Sequence, residues 1–350
     1  MKKVEFRGAW TALVTPMRKD GSVDWAGLEK NIEFQIREGI TGILPAGTTG
    51  ESPTLTYKEH NAVIKKTVKL ARGRCFVLAG TGANSVAEAE EFTEKAEEAG
   101  ADACLLVDPY YNGPSSLEIR EEYYATLAQE FPDMFFMPYI IPGRTGCALA
   151  AEDLAVLAKR YKNIRAVKEA TGDMERMRLE RKLLPKHFMI MSGDDDMTFA
   201  MMTDPAIAAS GVVSVMSNIV PGWIEKMCRL VLKGKKKEAA VLKNKLDPFF
   251  KLVTVTADRK EILEGKEYIV KDKFRNPLAL KTIMKALGMP SGLCRKPLGR
   301  MTEQGIEKIR TALKDSWVSS PEMLKPVEKF YGVSLEDRIR DDSFWKELTY

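Results

Sequence analysis

The chain has few of the residues on which most metal sites and histidine-dependent mechanisms rely. Only two histidines are present, His60 and His187. This scarcity argues against a zinc site built from several histidines and against a two-histidine, one-carboxylate iron site. We therefore predict no metal site, and we expect the chemistry to rest on lysine, tyrosine, threonine and carboxylates.

Cysteine usage, apolar runs and net charge restrict the class of protein further. The five cysteines are odd in number and scattered, without a CxxC pair, so we expect reduced thiols in a cytoplasmic protein. The chain has no run of about 18 apolar residues and no apolar signal-peptide stretch, so no membrane span and no secretion are expected. A net charge of +5 over 350 residues is not typical of a nucleic-acid-binding protein.

Short apolar runs alternate with helical stretches through the first two thirds of the chain. Eight such runs occur, namely Thr11–Pro16, Gly42–Gly47, Cys75–Gly80, Ala103–Val107, Phe135–Pro142, Ile164–Ala170, Phe188–Ser192 and Gly211–Val215. Continuous apolar strands separated by helices are typical of a parallel sheet covered on both faces. Eight repeats favour an α/β fold of the (β/α)8 TIM-barrel type over a doubly wound sheet, which has fewer strands. We predict this barrel over residues 1–234.

Helix boundaries are marked in the same part of the chain. Thr56–Glu59 and Ser85–Glu88 have the spacing of capping boxes, which begin helices. Gly100 follows the second of these helical stretches and predicts its end.

Residues 235–350 lack further apolar strand runs, so we predict a C-terminal helical region there. Helices are expected over Asn276–Leu287 and Thr302–Leu313, and the charged stretch near 254–270 is expected to be a surface insertion. The extra tail, residues 316–350, carries five aromatic residues. This composition favours docking of the tail, either on its own barrel or on a neighbouring subunit.

Reactive groups of such a barrel lie at the carboxyl ends of its strands. The second run ends in Gly47-Thr48-Thr49-Gly50-Glu51, where exposed backbone N–H groups and two hydroxyls suit a small carboxylate or phosphate. A tight turn that needs glycine is the alternative.

The sixth run places Lys168 within an apolar strand end. Burial disfavours the ammonium form and lowers the pKa of a lysine, and a neutral amine is the form that attacks a carbonyl to give a Schiff base. An ion pair of Lys168 with Glu169 or Glu51 is the alternative.

Five motifs occur in barrel order. They are Gly47–Glu51, Pro109–Asn112, Tyr139 with Pro142–Gly146, Val167–Ala170 and Ser192–Asp195. Together they resemble the dihydrodipicolinate synthase / N-acetylneuraminate lyase family of class I aldolase-type enzymes, and the resemblance extends from about Gly8 to Lys314. It implies a TIM barrel that forms a covalent imine between a lysine and pyruvate, without a bound cofactor.

The resemblance implies catalytic roles for four residues. Lys168 forms the Schiff base with pyruvate, and Tyr139 donates and accepts protons at that centre. Thr48 and Tyr111 complete a hydroxyl relay with Tyr139, with Tyr111 supplied across a subunit interface. A relay of hydroxyl groups can transfer protons without histidine.

Four further positions match substrate-binding residues of the family. Thr49 binds the pyruvate carboxylate, Gly193 and Val213 line the pocket near the imine, and Arg144 holds the carboxylate of L-aspartate 4-semialdehyde. Arg144 therefore implies condensation of pyruvate with this aldehyde to 4-hydroxy-tetrahydrodipicolinate, a step of lysine and diaminopimelate biosynthesis.

The resemblance also leaves an alternative reaction and implies partners. Ile140 stands where synthases carry asparagine, which favours a related pyruvate-dependent aldolase or hydratase-lyase acting on a sugar acid or another 2-oxo acid. A homotetramer, a dimer of dimers, is expected. Free lysine is a candidate inhibitor at the dimer interface, and the matching positions are Ser52, His60, Asn84, Glu88 and Tyr110.

Overall fold

A closed barrel of eight parallel strands forms the centre of the protein. The computed structural model describes residues 4–350. The strands pair in chain order, and the last closes on the first. They are β1 (Gly8–Ala12), β2 (Gly42–Leu44), β3 (Phe76–Gly80), β4 (Ala103–Val107), β5 (Phe136–Ile140), β6 (Ala166–Glu169), β7 (Met189–Ser192) and β8 (Gly211–Ser214). The predicted (β/α)8 barrel is confirmed.

The strands are apolar on both faces because both faces are buried. Alternate residues such as Trp10, Leu44 and Met191 fill the barrel interior. Their neighbours, such as Ile43 and Ile190, pack outward against the helices. The first strand begins three residues earlier than its apolar run, since the residues after Ala12 leave the strand and form the loop above it.

Helices surround the barrel between the strands. They are α1 (Trp25–Arg37), α2 (Tyr57–Ala71), α3 (Val86–Ala99), α4 (Ser116–Glu118), α5 (Thr126–Glu130), α6 (Pro142–Thr145), α7 (Ala151–Arg160), α8 (Met174–Leu183), α9 (Thr198–Thr203) and α10 (Pro221–Leu232). The capping box at Thr56 and Glu59 is reciprocal, whereas at Ser85 only the serine hydroxyl accepts from the backbone N–H of Glu88. Gly100 ends α3 in the left-handed region, as predicted.

The part after the barrel consists of helices and one hairpin. The helices are α11 (Lys236–Phe250), α12 (Leu278–Ala286), α13 (Glu303–Ser319), α14 (Lys325–Tyr331) and α15 (Leu335–Arg340). The insertion, which the sequence did not predict as strand, forms an antiparallel pair, β9 (Val255–Leu263) and β10 (Lys266–Phe274). The stretch was expected as a surface insertion, and most of the hairpin is exposed. Its strands were not predicted because they are charged and lack an apolar run.

The tail packs on its own barrel. Phe330 and Tyr331 each lie with their ring centroids 5.3 Å from that of Phe34 in α1, and the Tyr331 hydroxyl donates to Asn31 Oδ1 at 3.0 Å. Trp345 is buried and donates its indole N–H to the carbonyl of Arg338 at 2.8 Å. The tail therefore docks on the barrel of its own chain, which is one of the two surfaces predicted for it.

No helix within residues 4–350 is long and apolar enough to cross a membrane.

Candidate active site

A cavity of about 580 Å³ opens at the carboxyl ends of the barrel strands. Its wall includes Lys168 from β6, Tyr139 from β5, and Thr48 and Thr49 from the loop after β2. Arg144, on the short helix α6 that follows β5, lies at its mouth. The fold thus brings together five of the residues that the sequence singled out.

Lys168 is buried against Tyr139. Its side chain is only 5% exposed, and its Nζ lies 4.0 Å from the ring centroid of Tyr139, which faces it across the β5–β6 pair. Burial lowers the pKa of Lys168 to about 8, although the negative charges of Asp194 and Asp195 oppose this. At pH 7 about a tenth of the amine is therefore neutral, far more than for a lysine with the ordinary pKa.

The alternative of an ion pair for Lys168 is wrong. Glu169 pairs with Arg176, whose Nε lies 3.3 Å from Oε2 of Glu169. Glu51 pairs with Lys281, and both of these side chains are buried. Within residues 4–350, no carboxylate lies at ion-pair distance from the Lys168 amine.

Tyr139 remains protonated and Thr48 lies beside it. Burial raises the pKa of Tyr139, which the positive charge of Arg144 and hydrogen bonding to Thr48 oppose. A neutral phenol next to a neutral amine can donate a proton or pass one along the Thr48 hydroxyl. The geometry therefore allows a proton to pass between these two hydroxyl groups.

The loop after β2 is both a tight turn and a wall of the cavity. Gly50 donates its backbone N–H to the Gly47 carbonyl at 3.0 Å, and a Cβ at Gly50 would lie 3.1 Å from the Leu13 carbonyl oxygen. Close approach of the backbone therefore favours glycine at this position. The turn holds Thr49, whose Oγ1 accepts from Asn276 Nδ2 at 3.0 Å.

Of the two residues predicted to line the pocket near the imine, Gly193 lines the cavity and Val213 does not. A Cβ at Gly193 would lie 2.6 Å from the Cβ of Ala170 and 3.2 Å from Cε of Lys168, so only glycine leaves room beside the lysine. Val213 is fully buried in the barrel interior and does not line the cavity, contrary to prediction. Val215, two residues closer to the carboxyl end, lines it instead.

Two contributors to the cavity received no role from the sequence, although both lie in segments that it singled out. Asp194 lines it, and burial raises the pKa of this carboxyl to about 6. Asn276, which follows β10, also lines the cavity. Its backbone carbonyl accepts a hydrogen bond from Arg144 Nη2 at 2.9 Å. The Asn276-Pro277 pair could have marked this position, but the spacing alone does not show that the segment reaches the barrel mouth.

Comparison with known proteins gives the cavity its context. The sequence profile of the Dihydrodipicolinate synthetase family matches residues 5–316. The chain belongs to this family.

Individual relatives agree over most of the chain. A 4-hydroxy-tetrahydrodipicolinate synthase of Hydrogenobaculum sp. (strain Y04AAS1) is 41% identical over 88% of this chain and 97% of its own length. The structure of the enzyme of that name from Methylacidiphilum fumariolicum SolV is 35% identical, with a TM-score of 0.81, over 93% of this chain and all of the other. A dihydrodipicolinate synthase from Cyanidioschyzon merolae, solved with lysine bound, is 32% identical, with a TM-score of 0.79, over 89% of this chain and 98% of its own.

Two residues that the family resemblance singled out lie away from the cavity. Tyr111 is 92% exposed, in a left-handed backbone conformation with φ of 76°, and it does not line the cavity. Ile140 is fully buried among the outward-facing core residues of the barrel, behind β5. Ile140 therefore does not form part of the cavity wall, which removes one reason to favour the alternative reaction.

The candidate lysine-binding positions lie around one extension of the same cavity. Ser52, Glu88 and Tyr110 line it, together with Tyr57, whose hydroxyl donates to Glu88. His60 lies behind this wall with its ring stacked on Phe92 at a centroid distance of 3.9 Å. Burial lowers the pKa of His60 to about 4, so it is neutral at physiological pH. Asn84, which also follows the barrel edge after β3, is half-buried.

Proposed function

We propose that this protein condenses pyruvate with L-aspartate 4-semialdehyde to give 4-hydroxy-tetrahydrodipicolinate. The observation that carries the proposal is Lys168, a buried lysine with a lowered pKa that is packed on Tyr139 in a barrel-mouth cavity and has no ion-pair partner among residues 4–350. The names of relatives that align over nearly their whole length support the same reaction.

The first half of the reaction is imine formation. The neutral Lys168 amine attacks the C2 carbonyl of pyruvate, and loss of water leaves an imine between Nζ and C2. Tyr139 supplies and removes the protons that this exchange requires, with Thr48 as the next hydroxyl. We assign the pyruvate carboxylate to Thr49 and the backbone of the loop after β2.

The second half forms the carbon–carbon bond. Loss of a C3 proton converts the imine to an enamine, and C3 attacks the aldehyde carbon of the semialdehyde. The aldehyde oxygen takes up a proton and becomes a hydroxyl. The substrate amine then attacks the imine carbon, closes the ring and releases the Lys168 amine. No cofactor beyond this amine is needed.

Arg144 is assigned to the carboxylate of the semialdehyde. Its guanidinium lies at the mouth and donates only one identified hydrogen bond, to the Asn276 carbonyl. Burial lowers its pKa but leaves it cationic, and a guanidinium can bind a carboxylate through two parallel hydrogen bonds.

Assembly is part of the proposal. Exposed Tyr111 is assigned to the relay of a neighbouring subunit in a homotetramer, because its backbone is in the left-handed region and, within residues 4–350, its side chain stands in solvent and does not line the catalytic cavity. The five free cysteines are in keeping with a cytoplasmic enzyme.

Lysine is proposed as an inhibitor because the Cyanidioschyzon merolae relative binds it. Glu88 and Tyr110 are the groups that would contact the ligand, and calorimetric titration with lysine tests this. Binding that is absent from Glu88→Gln supports the assignment, and no heat of binding to the native protein contradicts it.

The reaction is tested by following pyruvate consumption with L-aspartate 4-semialdehyde and, separately, with sugar-derived aldehydes. We expect turnover with the semialdehyde only. Arg144→Ala should lose most of this activity while still trapping pyruvate on Lys168 with borohydride, whereas the surface control Arg72→Ala should retain it. Full activity of Arg144→Ala would contradict the assignment of the acceptor.

A further inference from the structure

A second cavity, of about 800 Å³ and here called the outer cavity because Lys168 does not line it, adjoins the catalytic one and shares part of its lining. Strand β10 and the chain that follows it form one wall, and the segment Pro297–Arg300 forms another. Thr48, Arg144 and Arg275 line both cavities, so a molecule that approaches Lys168 from this side passes through the outer one.

Four positively charged side chains of this outer cavity have no acidic partner among residues 4–350. Arg144, Lys273, Arg275 and Arg300 line it, and in the described part of the chain none of the four forms an ion pair. Lys273 and Arg275 belong to the hairpin and its exit, and both also line the catalytic cavity.

The carboxylates of the outer cavity are already paired. Glu51 pairs with Lys281, while Glu261 and Asp272 share Arg259, which lies 2.8 Å from Asp272 and balances one of the two negative charges. The four unpaired cations outnumber the one negative charge that remains, so the net charge of the lining is positive.

Reciprocal hydrogen bonds hold two of the free cations side by side. Arg275 Nη1 donates to the Gly143 carbonyl at 3.0 Å, and Arg144 Nη2 donates to the Asn276 carbonyl at 2.9 Å. Each arginine thus binds the backbone beside the other. The positive charge of Arg275, after burial, contributes to the lowered pKa of Arg144. Two guanidinium groups fixed together without an acidic partner are arranged for an anion.

We propose that Lys273 and Arg275 form, with Arg144, a carboxylate-binding site at the barrel mouth that selects the acceptor aldehyde. Its ligand class is a small aldehyde that carries a carboxylate, and Lys273 and Arg275 are specificity-determining residues contributed by the hairpin. The inference rests on the proposed function and deepens it, since it names further residues that recognise the second substrate.

The variants Arg275→Gln and Lys273→Gln test the site. Each removes one charge, and the glutamine at 275 keeps an N–H donor for the Gly143 carbonyl. We expect the KM for L-aspartate 4-semialdehyde to rise about tenfold, as for loss of one charge-assisted hydrogen bond, while the KM for pyruvate stays the same. Arg275→Lys should restore part of the affinity.

The matched control is Lys271→Gln. Lys271 lies two residues before Lys273 on the same strand, is exposed and lines neither cavity. Its replacement removes the same charge from the hairpin, so a KM that changes as much as in Lys273→Gln would show a general field effect and overturn the proposal.

A pair of four-carbon aldehydes separates binding of the carboxylate from support of the turn. Succinic semialdehyde carries a carboxylate and butanal does not, and both are measured as inhibitors against the acceptor. We expect the inhibition constant of succinic semialdehyde to rise in Arg275→Gln and Lys273→Gln, and that of butanal to stay unchanged. Equal changes for both aldehydes would mean that the residues only support the Gly143 turn, and no change for either would equally overturn the site.

Trapping of pyruvate on Lys168 with borohydride is carried out on every variant. A native protein without this adduct refutes the proposed function. An intact adduct combined with unchanged constants in both variants refutes the acceptor site alone.

Discussion

Lys168 shows how burial and nearby charge set the state of one side chain. Loss of hydration lowers the pKa of its ammonium group, and the negative charges of Asp194 and Asp195 limit the decrease, so that the pKa is about 8. The sequence indicated a lysine in an apolar strand end and left two interpretations. It could not decide between them, because the partners of Glu51 and Glu169 come from α12 and α8, and such pairings depend on the fold.

The rate of imine formation should follow the neutral fraction of Lys168. We expect the rate to rise with pH to a plateau, with a midpoint near 8. Asp194→Asn removes a carboxylate that favours the ammonium form, so the midpoint should move to lower pH. Stopped-flow measurement of pyruvate binding over about pH 6 to 10, a range centred on that pKa, checks this.

Asp196→Asn is the matched control for Asp194→Asn. Asp196 is exposed and is not among the charges that act on Lys168, so the midpoint of the pH–rate profile of Asp196→Asn should remain near 8. An unchanged or raised midpoint in Asp194→Asn would contradict the electrostatic account.

Among the elements, buried strands were easier to predict than exposed ones. The eight barrel strands are continuous apolar runs because both of their faces are covered. Strands β9 and β10 were missed, since charged side chains on a two-stranded hairpin leave no such run. The sequence signal that this hairpin does offer is its turn, Glu264-Gly265. In the structure both residues have a positive φ.

One buried ion pair ties α12 to the loop after β2. Lys281 and Glu51 are both buried, and Glu51 also accepts from the Arg295 backbone N–H at 2.8 Å. Lys281→Met leaves the Glu51 carboxylate buried without its cation, so the free energy of unfolding should fall by about 3–5 kcal/mol. Chemical denaturation measures this change.

Lys285→Met on the same helix provides the comparison. Lys285 is partly exposed and lies 3.8 Å from the exposed Glu347, so its loss should cost no more than about 1 kcal/mol. Equal effects of the two substitutions would contradict the importance of burial.

At the scale of the whole molecule, the tail extends the family fold. The family profile ends at residue 316, and the segment beyond it packs on α1 of the same chain. Its aromatic residues predicted docking, but composition does not identify the surface that receives them. The family positions were predicted because they lie in short contiguous motifs, whereas Lys273 and Arg275 reach the site only through the hairpin.

Removal of one buried tail residue should destabilise the protein without altering the chemistry. Trp345 is 3% exposed, so Trp345→Ala should lower the free energy of unfolding by about 3–5 kcal/mol. Val318→Ala, at a position 77% exposed, should have little effect. Denaturation curves give both values, and a tail that contributed nothing would leave the two variants alike.

The central claim is that the amine of Lys168 forms an imine with pyruvate, and reductive trapping tests it most directly. The protein is treated with pyruvate and borohydride, digested, and analysed by peptide mass spectrometry beside a sample that lacks pyruvate. We predict one pyruvate-dependent adduct, located on Lys168. An unmodified Lys168, whatever other lysine reacts, would contradict the account.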